Sequence, residues 1–260
     1  MGVILEAIKK GFGVASKNLG LVFILVLFNL AGSFASMPFA VQPGQTPTPQ
    51  ATTAALIFSL VFILISVFFQ GASLGLIRDF IKEGKLKLAA FINYGLKYYL
   101  RLFGLGLLII LIIGITALAA GLLVAITSAV NNVVLTSIAV IAAIAIVVIV
   151  GLLYFVPLTL SPYALVNGEM GIIAAMKNSL VVAKKPFSRV FLLILLFVLL
   201  ILIALGIGLA VGFVFGLLTA IMPAGAGRSV MAVVTSCING YLGVVMTASF
   251  MIFYLGLNKE

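Results

Sequence analysis

The sequence predicts an all-α integral membrane protein whose six transmembrane helices form three pseudo-repeats. Hydrophobic residues make up 65% of the 260-residue chain and charged residues only 8%, whereas a soluble domain is about half apolar and about a quarter charged. Six stretches exceed the roughly 20 apolar residues that cross a bilayer, and the polar segments between them are short. The whole chain, residues 1–260, is therefore predicted to be a single polytopic membrane domain.

The predicted spans follow the apolar runs, at residues 19–40, 54–77, 102–130, 133–160, 190–222 and 229–257. None of them contains Asp, Glu, Lys, Arg or His, so each suits the bilayer interior. Turn-forming polar residues separate the spans at the Pro/Gln/Thr-rich segment 41–52, at Asn131 and Asn132, and at the loop 223–228. The first span has a secretory signal peptide as its alternative, with small residues Ser33 and Ala35 near a cleavage site.

The distribution of Lys and Arg predicts the orientation of the chain. Fourteen of the fifteen precede span one, follow span six, or lie in the connections between spans two and three and between spans four and five. Only Arg228 lies on the opposite side, and all five acidic residues lie on the lysine-rich side. Because cytoplasmic loops are enriched in Lys and Arg, both termini are predicted to be cytoplasmic.

An apolar stripe recurs three times along the chain, at a period of about 84 residues. Its members are Leu5, Ile8, Phe12, Ala15 and Leu19, then Ala89, Ile92, Leu96, Tyr99 and Phe103, then Ile173, Met176, Leu180, Ala183 and Phe187. Steps of three and four residues place each stripe on one face of a helix. Each stripe leads into two spans, which predicts repeats of an amphipathic interfacial helix plus a helical hairpin at about 1–84, 85–168 and 169–260.

Basic residues accompany the stripes and predict contact with anionic membrane lipid. An interfacial helix places its apolar face at the acyl boundary and its cations at the headgroups, where each gains about 1 kcal/mol from anionic lipid. The predicted headgroup residues are Lys9, Lys17, Lys97, Arg101, Lys177, Lys184, Lys185 and Arg189. In the alternative interpretation the stripes pack beneath the bundle and the cations belong to ordinary cytoplasmic loops.

Small residues and prolines within the spans predict how the helices pack and bend. Glycines at four-residue spacing let helix backbones approach closely, within one chain or alternatively between copies; they are Gly71, Gly75, Gly208, Gly212 and Gly216. Pro157 and Pro162 are predicted to kink the end of span four. The alternative is that the carbonyls they free line a cavity or gate.

Isolated polar residues in or beside the spans carry further predictions. The amides of Asn29, Gln70 and Asn239 are expected to hydrogen-bond between helices, and a cavity lined by one of them would instead favour a substrate site. Tyr94, Tyr98 and Tyr99 suit the membrane interface, and Cys237 is expected to pack as a small hydrophobe.

The residue inventory argues against catalysis. The chain has no histidine and one cysteine, so the usual ligands of zinc and haem are missing, and no nucleotide-binding P-loop is present. The five acids are scattered, and Asp79 and Glu83 are expected to form salt bridges with Lys82 or Lys87. We therefore predict no enzymatic activity, no cofactor, no metal site and no nucleic-acid partner.

Residues 157–196, PLTLSPYALVNGEMGIIAAMKNSLVVAKKPFSRVFLLILL, follow a pattern known from other proteins. A proline-containing span end and a short turn precede a helix with Gly171, Ile172 and the run 175–179, and another span follows. This segment resembles the bacterial YciC-type inner-membrane family and the related membrane domain of glycerophosphoryl diester phosphodiesterases. The resemblance implies a prokaryotic cytoplasmic membrane location. It transfers no catalytic residue, because those enzymes use histidines of a separate soluble domain.

Two functions are compatible with these features. The first is a non-enzymatic multi-pass protein that organises or binds anionic lipid, or a membrane or cytoplasmic protein partner, through its cationic interfacial helices. The alternative is a permease or channel-like component for a lipid or a small apolar solute, because internal repeats in transporters often surround a site near the bilayer midplane.

Overall fold

The computed structural model describes residues 2–39, 48–218 and 226–258, and within these ranges the chain is helical and contains no strand. Within the described ranges, six helical segments are long and apolar enough to cross a membrane: Leu19–Phe39, Pro49–Glu83, Leu88–Ala129, Val133–Gly168, Phe187–Phe215 and Gly227–Leu257. The predicted α-helical, multi-pass membrane protein is thereby confirmed.

The helices of the described ranges are named here in chain order. They are α1 (Gly2–Lys17), α2 (Leu19–Ser36), α3 (Pro49–Glu83), α4 (Phe91–Ala129), α5 (Val133–Val150), α6 (Val156–Leu158), α7 (Ser161–Gly168), α8 (Ile172–Lys184), α9 (Phe187–Leu218) and α10 (Ala226–Leu257). Short 3-10 turns cover Met37–Phe39 and Leu88–Ala90, and a π-helical turn covers Gly151–Phe155.

The helices extend beyond the predicted spans at their polar ends. Helix α3 continues to Glu83, where Gly84 takes a left-handed conformation (φ 72°) and its backbone N–H bonds to the carbonyl of Phe80. Helix α4 runs unbroken from Phe91, so the second apolar stripe from Ile92 onward and the third span form one helix, whereas Ala89 lies in the preceding 3-10 turn. The ends of predicted spans 19–40 and 190–222 lie outside the described residues.

One compact unit comprises Met1–Tyr99 and Leu192–Glu260. Within it α10 packs along α1, α2 and α3. Gly240 of α10 lies so close to α2 that an added Cβ would be 2.8 Å from the backbone nitrogen of Val26. A Cβ on Gly11 of α1 would likewise be 2.8 Å from the carbonyl oxygen of Val245. Helix α10 is therefore the central element of this unit, held at backbone distance from two neighbours.

The second compact unit comprises Leu100–Phe191. Its α4–α5 connection turns at Asn131, which has a positive φ of 52°, and the Asn132 side chain caps α5 by accepting from Leu135 N at 3.1 Å. Helices α6 and α7 pack on α8, where the hydroxyl oxygens of Ser161 and Ser179 lie 2.7 Å apart. The polar pair at 131–132 thus makes the turn between two helices, as the sequence predicts.

The two prolines of span four lie where its helix is interrupted. The π-helical turn Gly151–Phe155 precedes α6, which contains Pro157, and a turn at Thr159 and Leu160 precedes α7. Pro162 lies in the first turn of α7. Backbone N–H groups of the first turn have no acceptor within the helix, so proline, which lacks this group, loses no hydrogen bond there. Both prolines therefore lie beside departures from regular α-helical geometry.

Candidate lipid-headgroup site

The cations predicted to bind headgroups lie along α1, in the first turns of α4, and from α8 to the start of α9. All eight predicted headgroup residues are exposed: Lys9, Lys17, Lys97, Arg101, Lys177, Lys184, Lys185 and Arg189. Arg101 also donates from Nη1 to the backbone oxygen of Glu169 at 3.1 Å, and Lys97 Nζ lies 5.4 Å from the centroid of the Tyr98 ring. The five remaining lysines expose their side chains to solvent or headgroups: Lys9, Lys17, Lys177, Lys184 and Lys185.

Helix α1 has two apolar faces rather than one. The face buried against α10 carries the small or branched residues Ile4, Ala7, Gly11, Val14 and Ala15. Most of the predicted stripe lies elsewhere, because Leu5 is 53% exposed, Ile8 and Phe12 are half-buried, and only Ala15 is buried. A helix with lysines, a buried face and an exposed apolar face suits the boundary between protein, acyl chains and headgroups.

The first turns of α4 repeat this arrangement. Gly95 and Tyr98 are buried, with Gly95 close to the ring of Phe68 in α3. The stripe residues Ile92 and Leu96 are 62% and 65% exposed. Their position beside Lys97 gives this segment the same combination of a buried face, an exposed apolar face and a cation.

Helix α8 shows the arrangement a third time. Ala175, Ser179 and Ala183 are buried, and Ser179 is hydrogen-bonded to Ser161 of α7. The stripe residue Ile173 is 65% exposed, and Lys177 and Lys184 are exposed on the same helix. In each of the three segments, part of the stripe detected in the sequence is exposed, while other residues of the same helix, including Gly11, Gly95 and Ser179, are buried against protein.

A groove of about 560 Å³ lies beside α1, between the ends of α3 and α10. Lys10 and Lys82 line it together with Glu6, and its other walls are apolar, among them Ile81 and Phe253. Glu6 accepts from Lys10 Nζ at 2.8 Å, and this hydrogen bond lowers the pKa of the Glu6 carboxyl below its usual value. Two ammonium groups beside apolar walls can hold an anionic headgroup above its acyl chains.

A buried polar cluster at the end of α3 was not foreseen from the sequence. The Arg78 guanidinium donates to Asp79 Oδ1 from Nη2 at 2.8 Å and to the Tyr98 hydroxyl from Nη1 at 2.8 Å, and the Tyr94 hydroxyl donates to Asp79 Oδ2. Arg78, Asp79 and Tyr98 are all buried. The cluster links α3 to the cationic first turns of α4.

Of the two salt bridges predicted for the acidic residues of α3, one is confirmed and the other is wrong. Glu83 pairs with Lys87 at 3.0 Å, as predicted, and this exposed pair raises the pKa of Lys87. Asp79 pairs with Arg78, not with Lys82 or Lys87, because its side chain faces the protein. Of the interfacial tyrosines, Tyr98 is fully buried and Tyr99 half-buried.

The structure places the predicted packing glycines in different surroundings. Gly71, Gly75 and Gly208 are all buried. Gly75 faces Tyr94, whereas a Cβ added to Gly208 would have no atom within 4 Å. Gly212 faces Met231, and the surroundings of Gly216 lie outside the described residues. The four-residue glycine spacing in α3 thus coincides with close packing, whereas Gly208 of α9 borders open space.

The amide side chains of the spans and the single cysteine lie in different surroundings. Asn29 Nδ2 donates to the carbonyl of Leu25 in its own helix at 2.8 Å, while Gln70 and Asn239 are exposed. Asn239 lines a cavity between α9 and α10. Cys237 is exposed rather than packed, and it borders a cavity next to α9. Within the described ranges, no three His, Cys, Asp or Glu residues lie close enough to hold a metal ion.

No protein family, curated protein or solved structure matches this chain in sequence or fold comparisons. The geometry of the exposed cations and apolar faces is therefore the basis for assigning a function.

Proposed function

We propose that this is a non-enzymatic multi-pass protein of a prokaryotic cytoplasmic membrane that binds anionic phospholipid through its cationic interfacial segments. These segments are α1, the first turns of α4, and α8 with the start of α9. The observation that carries the proposal is that each segment buries one face on neighbouring helices and still exposes large apolar side chains beside its lysines. The resemblance of residues 157–196 to the YciC-type family agrees with this location.

The physical argument rests on what can cover the exposed apolar faces. Ile92, Leu96 and Ile173 each expose more than half of their surface. If water covered these side chains, the free-energy cost would be proportional to their exposed apolar area. Acyl chains cover such residues, which places the neighbouring lysines at headgroup depth. Lysines at that depth select anionic lipid over zwitterionic lipid.

Equivalent positions in the three segments support a threefold repeat as part of this proposal. Two sets of buried residues are spaced by the predicted period of about 84 residues: Ala7, Phe91 and Ala175, and Gly11, Gly95 and Ser179. The second span of each proposed repeat contributes a buried serine at equal spacing along the chain: Ser73, Ser161 and Ser249. Three copies of one lipid-facing unit would place all the cationic segments on one leaflet.

Replacing the two lysines of α8 and Lys185, which directly follows it, tests the proposal. The variant Lys177→Gln, Lys184→Gln, Lys185→Gln is expected to lose about fivefold in preference for anionic lipid per lysine removed. The preference is measured by native mass spectrometry, as the ratio of bound phosphatidylglycerol to phosphatidylcholine from an equimolar mixture.

The matched control is Arg228→Gln, which removes the cation assigned to the opposite leaflet and is expected to leave the ratio unchanged. An unaltered ratio in the triple variant, with folding intact, would contradict the proposal. Co-purification of one stoichiometric protein in place of lipid would favour a protein partner at these segments.

The orientation is tested by cysteine labelling. In a Cys237→Ala background, a Val133→Cys variant at the α4–α5 turn is expected to react with a membrane-impermeant maleimide on intact cells. A Lys85→Cys variant in the α3–α4 connection is expected to react only after the membrane is permeabilised. Both positions are exposed in the structure, so the reverse pattern of labelling would reject the assignment of the lysine-rich side to the cytoplasm.

A further inference from the structure

The gap between α9 and α10 is a second potential binding site, distinct from the cationic segments. It forms a groove of about 660 Å³ bordered by residues such as Phe197, Leu205, Gly208, Asn239 and Met246. We propose that this groove binds one neutral, single-chain lipid whose hydroxyl or carbonyl group hydrogen-bonds to Asn239. A pocket of this size, largely apolar with a few polar groups, is typical of small-molecule sites.

The shape of the groove argues for a chain-like occupant. Its α9 wall runs from Phe197 to Phe213, which corresponds to about 24 Å of helix at 1.5 Å per residue. Phe197 stacks on Phe250 at one end of the groove, with ring centroids 5.3 Å apart, and Gly212 faces Met231 at the other end. The helices thus approach each other near both ends of the groove, and the groove extends along the turns of α9 between these two contacts.

The chemistry of the lining argues for a neutral molecule with one hydrogen-bonding group. Among the described residues that line the groove none is charged, and the Thr235 hydroxyl already donates to the carbonyl of Met231 at 2.7 Å. Asn239 is exposed in the groove, and its side chain has no hydrogen-bond partner among the described residues. An unpartnered carboxamide in an apolar environment is unfavourable, so an occupant that bonds to it is preferred over a plain hydrocarbon chain.

A second opening gives such a lipid a route from the bilayer. A smaller cavity, about 430 Å³, shares Leu200, Ala204, Ile238 and Leu242 with the groove and extends to Cys237 and Tyr241. The space between α9 and α10 is therefore bordered by cavities that share part of their walls. A chain can enter sideways from the hydrocarbon region without crossing the headgroup layer.

Photolabelling tests the proposal. The full-length protein in phosphatidylcholine nanodiscs is irradiated with a diazirine analogue of hexadecanol, and labelled peptides are mapped by mass spectrometry. Labels are expected in α9 and α10, and unlabelled hexadecanol is expected to compete about fivefold to tenfold better than hexadecane, which lacks the hydroxyl. The Asn239→Leu variant is expected to abolish this difference while retaining the fold.

Two further variants separate a specific groove from general lipid contact. Gly208→Leu extends a side chain into open space in the groove, and Gly206→Leu does the same on α9 outside the lining. Labelling is expected to fall at least fivefold in Gly208→Leu and to remain in Gly206→Leu. If Gly208→Leu does not fold, the Asn239→Leu competition result decides the question.

Three results would overturn this assignment. They are labelling spread evenly over all spans, equal competition by hexadecanol and hexadecane in the unmodified protein, and crosslinks between two copies of the chain through α9 and α10. The triple lysine variant is expected to leave hexadecanol labelling unchanged, so failure of the anionic-lipid proposal and failure of this one are distinguishable.

Discussion

Replacing Arg78 with methionine is expected to lower the free energy of unfolding by about 3–5 kcal/mol. The substitution removes the cation that donates two hydrogen bonds to Asp79. Of the described residues, only Tyr94 would then still donate a hydrogen bond to that buried carboxylate. It also removes the hydrogen bond to Tyr98 that ties α3 to the first turns of α4. Unfolding in mixed micelles, followed by circular dichroism, measures the change.

The double variant Arg78→Met, Asp79→Leu separates the ion pair from general packing. Exchanging both partners of a buried pair for apolar residues is often neutral or stabilising, so much of the lost stability is expected to return. Glu83→Gln is the control, since it breaks the exposed pair with Lys87 in the same helix and is expected to shift the unfolding midpoint little. A single variant as stable as the control would show that the Arg78 cluster contributes little to folding.

Replacing Gly240 with alanine is expected to destabilise the protein by about 1–3 kcal/mol, because α10 would be pushed away from α2. The new Cβ would lie 2.8 Å from the nitrogen and 3.1 Å from the Cα of Val26, and backbone atoms cannot rotate aside as a side chain does. The measurement is the unfolding midpoint in the same micelles.

Gly243 provides a matched control one helical turn away in α10. A Cβ there would meet only Leu25 Cδ1, at an ordinary contact distance of 3.9 Å. Gly243→Ala is therefore expected to be neutral or slightly stabilising, since alanine favours the helix over the unfolded chain. Equal effects of the two substitutions would mean that α10 and α2 are not packed as closely as the structure indicates.

The six spans could be predicted because a helix that crosses the hydrocarbon core must be apolar along its whole length, and this property is visible in the local sequence. Each apolar run is long enough to cross the bilayer, and turn formers such as Asn131 interrupt the runs. Helix ends were less predictable, since α3 continues through the charged residues to Glu83 and stops only at Gly84. Composition marks where hydrocarbon ends, whereas capping and tertiary contacts determine where the helix ends.

The contacts between helices could not be predicted from the apolar stripes. Large residues such as Leu5 and Ile92 dominate the sequence pattern, but in the structure they are exposed, and small residues such as Gly11 make the close contacts. In a bilayer the large residues have acyl chains as an equivalent apolar environment, so hydrophobicity alone does not drive helices together. Packing between helices depends on small residues, which carry no strong hydropathy signal.

The Arg78 cluster was missed for a different reason. Arg78 and Asp79 are adjacent in sequence, whereas their tyrosine partners lie in another helix, beyond the α3–α4 connection. Local spacing pointed to Lys82 or Lys87 as the partner of Asp79, because a helix places residues three or four apart side by side. Only the approach of α4 to α3, at Gly75 and Tyr94, brings the tyrosines to the pair.

The packing of α1 on α10 has a consequence for the order of synthesis. Roughly 200 residues separate the two helices, and at 5–20 residues per second a ribosome needs about 10–40 s to add them. During that interval the small-residue face of α1 has no α10 to contact. Helix α1 therefore leaves the ribosome well before the helix on which it packs, so nascent chains stalled before α10 are expected to be more susceptible to membrane proteases than chains that include α10.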